Sequence, residues 1–108
     1  MRGEIWTVCA SGYASKPRPA VIVQADSVVG FDSTIVCLFT TDDSLKGATR
    51  VSVKATGGNG LTKDCIVMAE KPVAINKSRL GEKLGALEAE TLSKVGSALR
   101  QVFGFGVG

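Results

Sequence analysis

A small antiparallel, barrel-like β-sheet carrying one C-terminal helix is the fold this sequence predicts. Five or six short strand-like runs come first, each bounded by turn residues. The apolar period then lengthens to steps of three or four near the end of the chain. The 108 residues contain no linker, repeat or low-complexity stretch, so residues 1–108 make one domain with a small core.

Taken in order, Glu4-Ile5-Trp6-Thr7-Val8-Cys9 has the β-branched and aromatic content of a strand. Residues 10–16, with Gly12, two serines and Tyr13, form a polar loop. Residues 18–24 are the second strand, and the four apolar residues Ala20-Val21-Ile22-Val23 predict cover on both faces. Residues 25–32 connect to Ser33-Thr34-Ile35-Val36-Cys37-Leu38-Phe39-Thr40, apolar enough to be a central strand. Thr41-Asp42-Asp43-Ser44 is a turn. Thr49-Arg50-Val51-Ser52-Val53 alternates as a half-buried strand does. Thr56-Gly57-Gly58-Asn59-Gly60-Leu61 is the clearest turn, and Cys65-Ile66-Val67-Met68-Ala69-Glu70 the next strand. Val73-Ala74-Ile75 is a short strand at most, and residues 77–85 read as a basic stretch. Leu92, Val95, Leu99, Val102 and Phe103 then mark one face of an amphipathic helix over about 87–103. Acidic residues start it, Arg100 sits in its last turn, and Gly104 ends it. The helix face is expected to close each monomer's core, and residues 104–108 to form a flexible tail.

Composition narrows the chemistry. Hydrophobic residues make up 44% and charged residues 21%, as in a folded globular chain. The longest apolar run, Ile35 to Phe39, suits a strand and is too short for a membrane span. The N-terminus does not read as a signal peptide, so the expected location is cytoplasmic. Cys9, Cys37 and Cys65 are widely spaced and odd in number, which predicts reduced core thiols. There is no histidine, which removes the usual imidazole base, nucleophile partner and metal ligand. Asp42-Asp43 reads as a solvated turn, so no metal and no cofactor are expected. A net charge of +3 permits an anionic partner.

The most constrained stretch is Lys16-Pro17-Arg18-Pro19-Ala20-Val21-Ile22-Val23. Each proline fixes its own φ and restricts the residue before it. Arg18 therefore stands on a stiff backbone at the mouth of a buried strand. A fixed planar guanidinium suits phosphate binding. A solvated strand start is the other reading of the same pattern.

Together with Arg2-Gly3-Glu4-Ile5-Trp6-Thr7-Val8, Ile35-Val36-Cys37-Leu38-Phe39-Thr40-Thr41 and the closing helix, this stretch resembles the MazF/PemK/Kid family of toxin–antitoxin toxins. The resemblance runs nearly the whole chain. It implies an SH3-like small barrel, a homodimer, and sequence-specific, metal-independent cleavage of single-stranded RNA through the 2′-hydroxyl. It also implies an acidic antitoxin as partner. Arg18 matches the family's catalytic arginine and Thr40 its strand-end threonine, with Thr41 as the neighbouring choice. Glu70 matches an acid that serves as base, with a surface carboxylate as the alternative. Met68 and Val73 stand where one branch of the family has arginines. Either Lys16, Lys63, Lys71 or Arg79 compensates as a phosphate contact, or activity is weaker or differently aimed. Tyr13 joins these basic residues as an expected RNA contact. Lys77, Arg79 and Lys83 are either a phosphate track or a solvated face.

Two other functions fit parts of the chain. The end Phe103-Gly104-Phe105-Gly106-Val107-Gly108 faintly resembles that of CcdB-like gyrase poisons, without their tryptophan. Met68 and Val73 also suit a degenerate member that binds without cutting.

Overall fold

The computed structural model describes residues 1–9 and 17–105. Its strands are β1 (Glu4–Val8), β2 (Arg18–Ile22), β3 (Ser33–Thr40), β4 (Arg50–Val53), β5 (Cys65–Met68), β6 (Val73–Asn76) and β7 (Leu80–Ala86). A single 3₁₀ turn, Lys77–Arg79, joins β6 to β7, and α1 (Ala89–Phe103) closes the chain. Every pairing is antiparallel, in the order β4-β5-β3-β2-β1-β7 with β6 on β3.

The longest strand, β3, is shared. Its first half pairs with β6 from Ser33 to Val36, and its end pairs with β5 at Phe39 and Thr40. The sheet therefore bends at β3 into a barrel-like shape. It stays open between its end strands β4 and β7. Helix α1 packs against β4 and buries Val95 and Ala98.

Two apolar clusters lie on opposite faces of the bend. The larger holds Ile5, Val21, Cys37, Phe39, Val51, Val67 and Val95, with Leu92 and Leu99 of α1 packed against it. The smaller holds Val8, Ala20, Ile22 and Val36, flanked by Trp6, Leu38, Ile75 and Leu80. Strand β2 and the residue after it feed both, Val21 and Val23 to one and Ala20 and Ile22 to the other. Its uninterrupted apolar run is the sequence record of that double burial.

Helix α1 starts at Ala89 rather than 87, because Glu88 is its extended N-cap residue. Gly104 ends it at φ 71°, the left-handed conformation that glycine takes most readily, and donates to the Arg100 carbonyl. Phe105 donates to that same carbonyl, and its ring stacks on Phe103 at 6.1 Å. Both rings are exposed, so the apolar face of α1 that enters the core ends before Phe103.

The basic stretch at 80–86 is a strand, β7, paired with β1. Two register shifts interrupt that pairing. Gly85 lies under the Gly58 carbonyl so closely that a Cβ would collide with it. Gly60, at φ 69°, meets the Leu84 carbonyl in the same way. The Thr56–Gly60 turn is thus docked on β7, and Ala86 N–H donates to the Gly58 carbonyl at 3.1 Å.

Candidate active site

Strand β2 begins with Arg18, and β3 ends with Thr40. The pairing Ala20 with Leu38 and Ile22 with Val36, continued along both strands, sets Arg18 opposite Thr40. A cleft of about 590 Å³ opens there, lined by Pro17, Arg18, Thr40, Thr41, Leu61 and Lys63 among others. Arg18 is exposed between its two prolines, so its guanidinium is available to a ligand. The Thr40 hydroxyl accepts from Asp42 N–H at 3.1 Å. Its proton is left to donate.

The far wall of the cleft depends on Asn59. Its Oδ1 accepts from Thr56 N–H and Leu61 N–H, both at 3.0 Å, and its Nδ2 donates to the Lys54 carbonyl at 2.8 Å. Asn59 is buried, and these bonds fix the path of the backbone into Leu61 and Lys63.

Of the sequence-predicted residues, Arg18, Thr40, Thr41 and Lys63 meet in this cleft. Arg79 is half-buried at the same end of the sheet, where its carbonyl accepts from Cys9 N–H at 3.3 Å. Tyr13 and Lys16 lie outside the described residues. Lys71 and Glu70 do not line the cleft. Thr40 pairs with Ile66, and Glu70 lies past the end of β5, in the turn after Met68. Lys83 of the basic stretch is bound to Glu4 at 2.9 Å.

Glu70 is engaged elsewhere. Arg50 holds both of its oxygens, Nε to Oε1 at 3.1 Å and Nη2 to Oε2 at 2.5 Å. Partial burial pushes the Glu70 carboxyl up, but its own backbone N–H and the Arg50 bonds outweigh that. With the charges of Arg50 and Lys71 they hold it below the usual carboxylate range. Arg50 pairs across from Met68. Sequence reading missed Arg50 because its partner is 20 residues away and on another strand. The outward phase of Arg50 and Ser52 in an alternating strand is the one local signal.

Cys37 and Cys65 are core thiols and poor nucleophiles, whereas Cys9, expected in the core, is exposed just past the end of β1. Burial pushes Cys37 up to about 11, with the Glu70 charge adding to it. Burial likewise raises Cys65, which lines the cleft. Among the described residues, no three His, Cys, Asp or Glu side chains gather into a metal-binding group. No helix among them is long and apolar enough to cross a membrane.

The family model for the PemK-like, MazF-like toxin of type II toxin–antitoxin systems matches residues 1–103. A "Probable endoribonuclease MazF" of Mycolicibacterium smegmatis is 32% identical over 99 residues, covering 91% of each chain. The solved Mycobacterium tuberculosis toxin MazF-mt6 superposes with a TM-score of 0.78 at 25% identity, covering 96% of this chain and 99% of that one. A mycobacterial endoribonuclease solved with its cognate antitoxin gives 0.82 at 24% identity, covering 100% and 98%. With the family model matched over nearly its whole length, this chain belongs to the PemK-like, MazF-like toxins of type II toxin–antitoxin systems.

Proposed function

We propose that this chain is a sequence-specific endoribonuclease that cuts single-stranded RNA through the ribose 2′-hydroxyl and without a metal ion. One observation carries the reading: Arg18, Thr40, Thr41 and Lys63 line one cleft, in a chain related to a probable endoribonuclease. In the reaction, the 2′-oxygen attacks phosphorus and the bond to the 5′-oxygen breaks. The products are a 2′,3′-cyclic phosphate and a 5′-hydroxyl. Arg18 sets two donors against the non-bridging oxygens as negative charge builds there. Thr40 donates its remaining proton to the phosphate and fixes its position. Thr41 and Lys63 meet the adjoining backbone. Arg79, Lys71 and Lys16 add positive charge along the strand, and Tyr13 offers a base a ring to stack on.

The 2′-proton needs an acceptor and the departing 5′-oxygen needs a proton. Glu70 takes the first role by family match, but its two bonds to Arg50 suit it better to holding Arg50 in place, so solvent water in the open cleft takes the 2′-proton and returns one to the 5′-oxygen. The degenerate-binder alternative rests on Met68 and Val73; Arg50, across from Met68, is held by Glu70 and does not line the Arg18 cleft. The gyrase alternative rests on the chain end, where residues 106–108 lie outside those described.

The chain works in the cytoplasm as a homodimer and is silenced by an acidic antitoxin segment. Val73 is 42% exposed and lies across from Val36, beside the half-buried Trp6, Leu38, Ile75 and Leu80. That apolar face suits a second copy. Light scattering should give twice the 11.2 kDa chain mass.

The direct experiment incubates the protein with a long single-stranded RNA in EDTA and maps the ends. Cyclic-phosphate and 5′-hydroxyl ends support the reading. Strict magnesium dependence with 5′-phosphate ends would overturn it.

A further inference from the structure

A second cleft adjoins the one at Arg18. Thr41 and Cys65 line both, and the second, of about 440 Å³, runs over the β3–β4 connection and along β4. In β4 the inward residues are Val51 and Val53, so the opposite phase puts Arg50, Ser52 and then Lys54 on the groove side. These three span about 13 Å at strand spacing. Lys46 faces them across the groove from the connection. Arg50 is fixed by Glu70, which uses two of the five donors a guanidinium carries.

The groove also holds acids. Asp64 accepts from Ala55 N–H at 2.8 Å, which anchors one carboxylate oxygen and leaves the other to a ligand. Asp43 lies in the same wall. A purely cationic channel would suit backbone alone. Fixed carboxylates among lysines suit a nucleotide, with phosphate on the cations and base donors on the acid.

We propose that this second groove is a subsite for the nucleotides flanking the cut bond, in which Lys46 and Lys54 take phosphate and Asp64 reads the base. The subsite rests on the ribonuclease reading and extends it. An anchored carboxylate accepts from the exocyclic amino group of adenine, cytosine or guanine. Uracil carries no exocyclic amino group, and its one donor on that edge, N3–H, sits between two carbonyl oxygens that the carboxylate repels. The groove therefore disfavours uracil at one position beside the cut.

The test compares the intact protein with a Lys46→Ala/Lys54→Ala pair and with Asp64→Asn. Cleavage of a random-sequence single-stranded RNA pool in EDTA gives rates and site preferences. Binding of a labelled, uncleavable 2′-deoxy oligonucleotide at several salt concentrations gives the electrostatic slope. The double variant should raise KM about tenfold with kcat nearly unchanged, and lower the salt slope by about 1.4 for two lost phosphate contacts. Asp64→Asn keeps the Ala55 bond through its amide oxygen, and should bring uracil up to the level of the other bases. Unchanged KM, salt slope and base preference would overturn the subsite while leaving the ribonuclease reading intact. Wild-type protein that binds but never cuts would sink the ribonuclease reading, and the salt slope would still decide the groove. If the lysine changes weaken inhibition by an acidic antitoxin peptide yet leave RNA binding untouched, the groove belongs to that partner and the proposal is wrong.

Discussion

Arg50 and Glu70 form a two-bond ion pair across the β4–β5 edge, with side chains 11% and 29% exposed. Breaking such a pair leaves a guanidinium short of its partner in a poorly hydrated place. Glu70→Gln should cost about 2 kcal/mol, below the ~3–5 typical of a fully buried pair because water reaches Glu70. Cleavage should fall less than about tenfold, since the carboxyl does not touch the cut phosphate. Thermal melting and initial rates separate the two effects. A folded Glu70→Gln protein slowed by about 10³ or more would make Glu70 the base instead.

Asn59 is a second structural anchor. Asn59→Ala would strip partners from Thr56 N–H, Leu61 N–H and the Lys54 carbonyl at once. We expect a loss of roughly 2–4 kcal/mol by denaturant titration. The wall carrying Lys63 should loosen too, raising KM more than it lowers kcat. A neutral effect on both would show that the turn does not shape the cleft.

Acid should weaken the fold through Glu4. The N-terminal amine, at 2.7 Å, holds its carboxyl at about 2, with help from Lys83 and the Trp6 ring N–H and against a smaller opposing push from burial. A carboxyl with a depressed folded pKa stabilises fully above its unfolded value near 4.5, and that contribution fades as pH falls towards 2. Denaturant midpoints should therefore drop across this window. Lys83→Met should flatten the drop, and an unaltered pH profile would show that the ion pair does not couple to folding.

Much of this architecture was legible because it is local. The period change announced α1, Gly104 announced its end, and the apolar run of β2 announced two-sided burial. Strand β7 was not legible. Leu80-Gly81-Glu82-Lys83-Leu84-Gly85-Ala86 has little strand propensity, and pairing with β1 overrides that. Gly85 is needed for the close approach of the Gly58 carbonyl, and Gly81 for that of the Thr7 hydroxyl. The site divides the same way. Arg18 and Thr40 stand at strand ends that the sequence marks with prolines and a turn. The commitment of Glu70 to Arg50 joins residues on different strands, and no spacing rule reports it. The second groove was hidden for that reason, since Thr41, Lys46, Lys54 and Asp64 come together only when β4 folds against β5.

The central claim is that the Arg18 guanidinium does the electrostatic part of RNA cleavage. The most direct measurement is the cleavage rate of Arg18→Ala and Arg18→Lys against wild type, on one single-stranded RNA in EDTA, with folding checked by circular dichroism. Loss of one preorganised donor typically costs about 10²–10³ in rate. Arg18→Ala should fall by at least that much. Arg18→Lys should recover little of it, because a point charge cannot replace a planar two-donor contact. A folded Arg18→Ala protein that cuts at near wild-type rate would contradict the account.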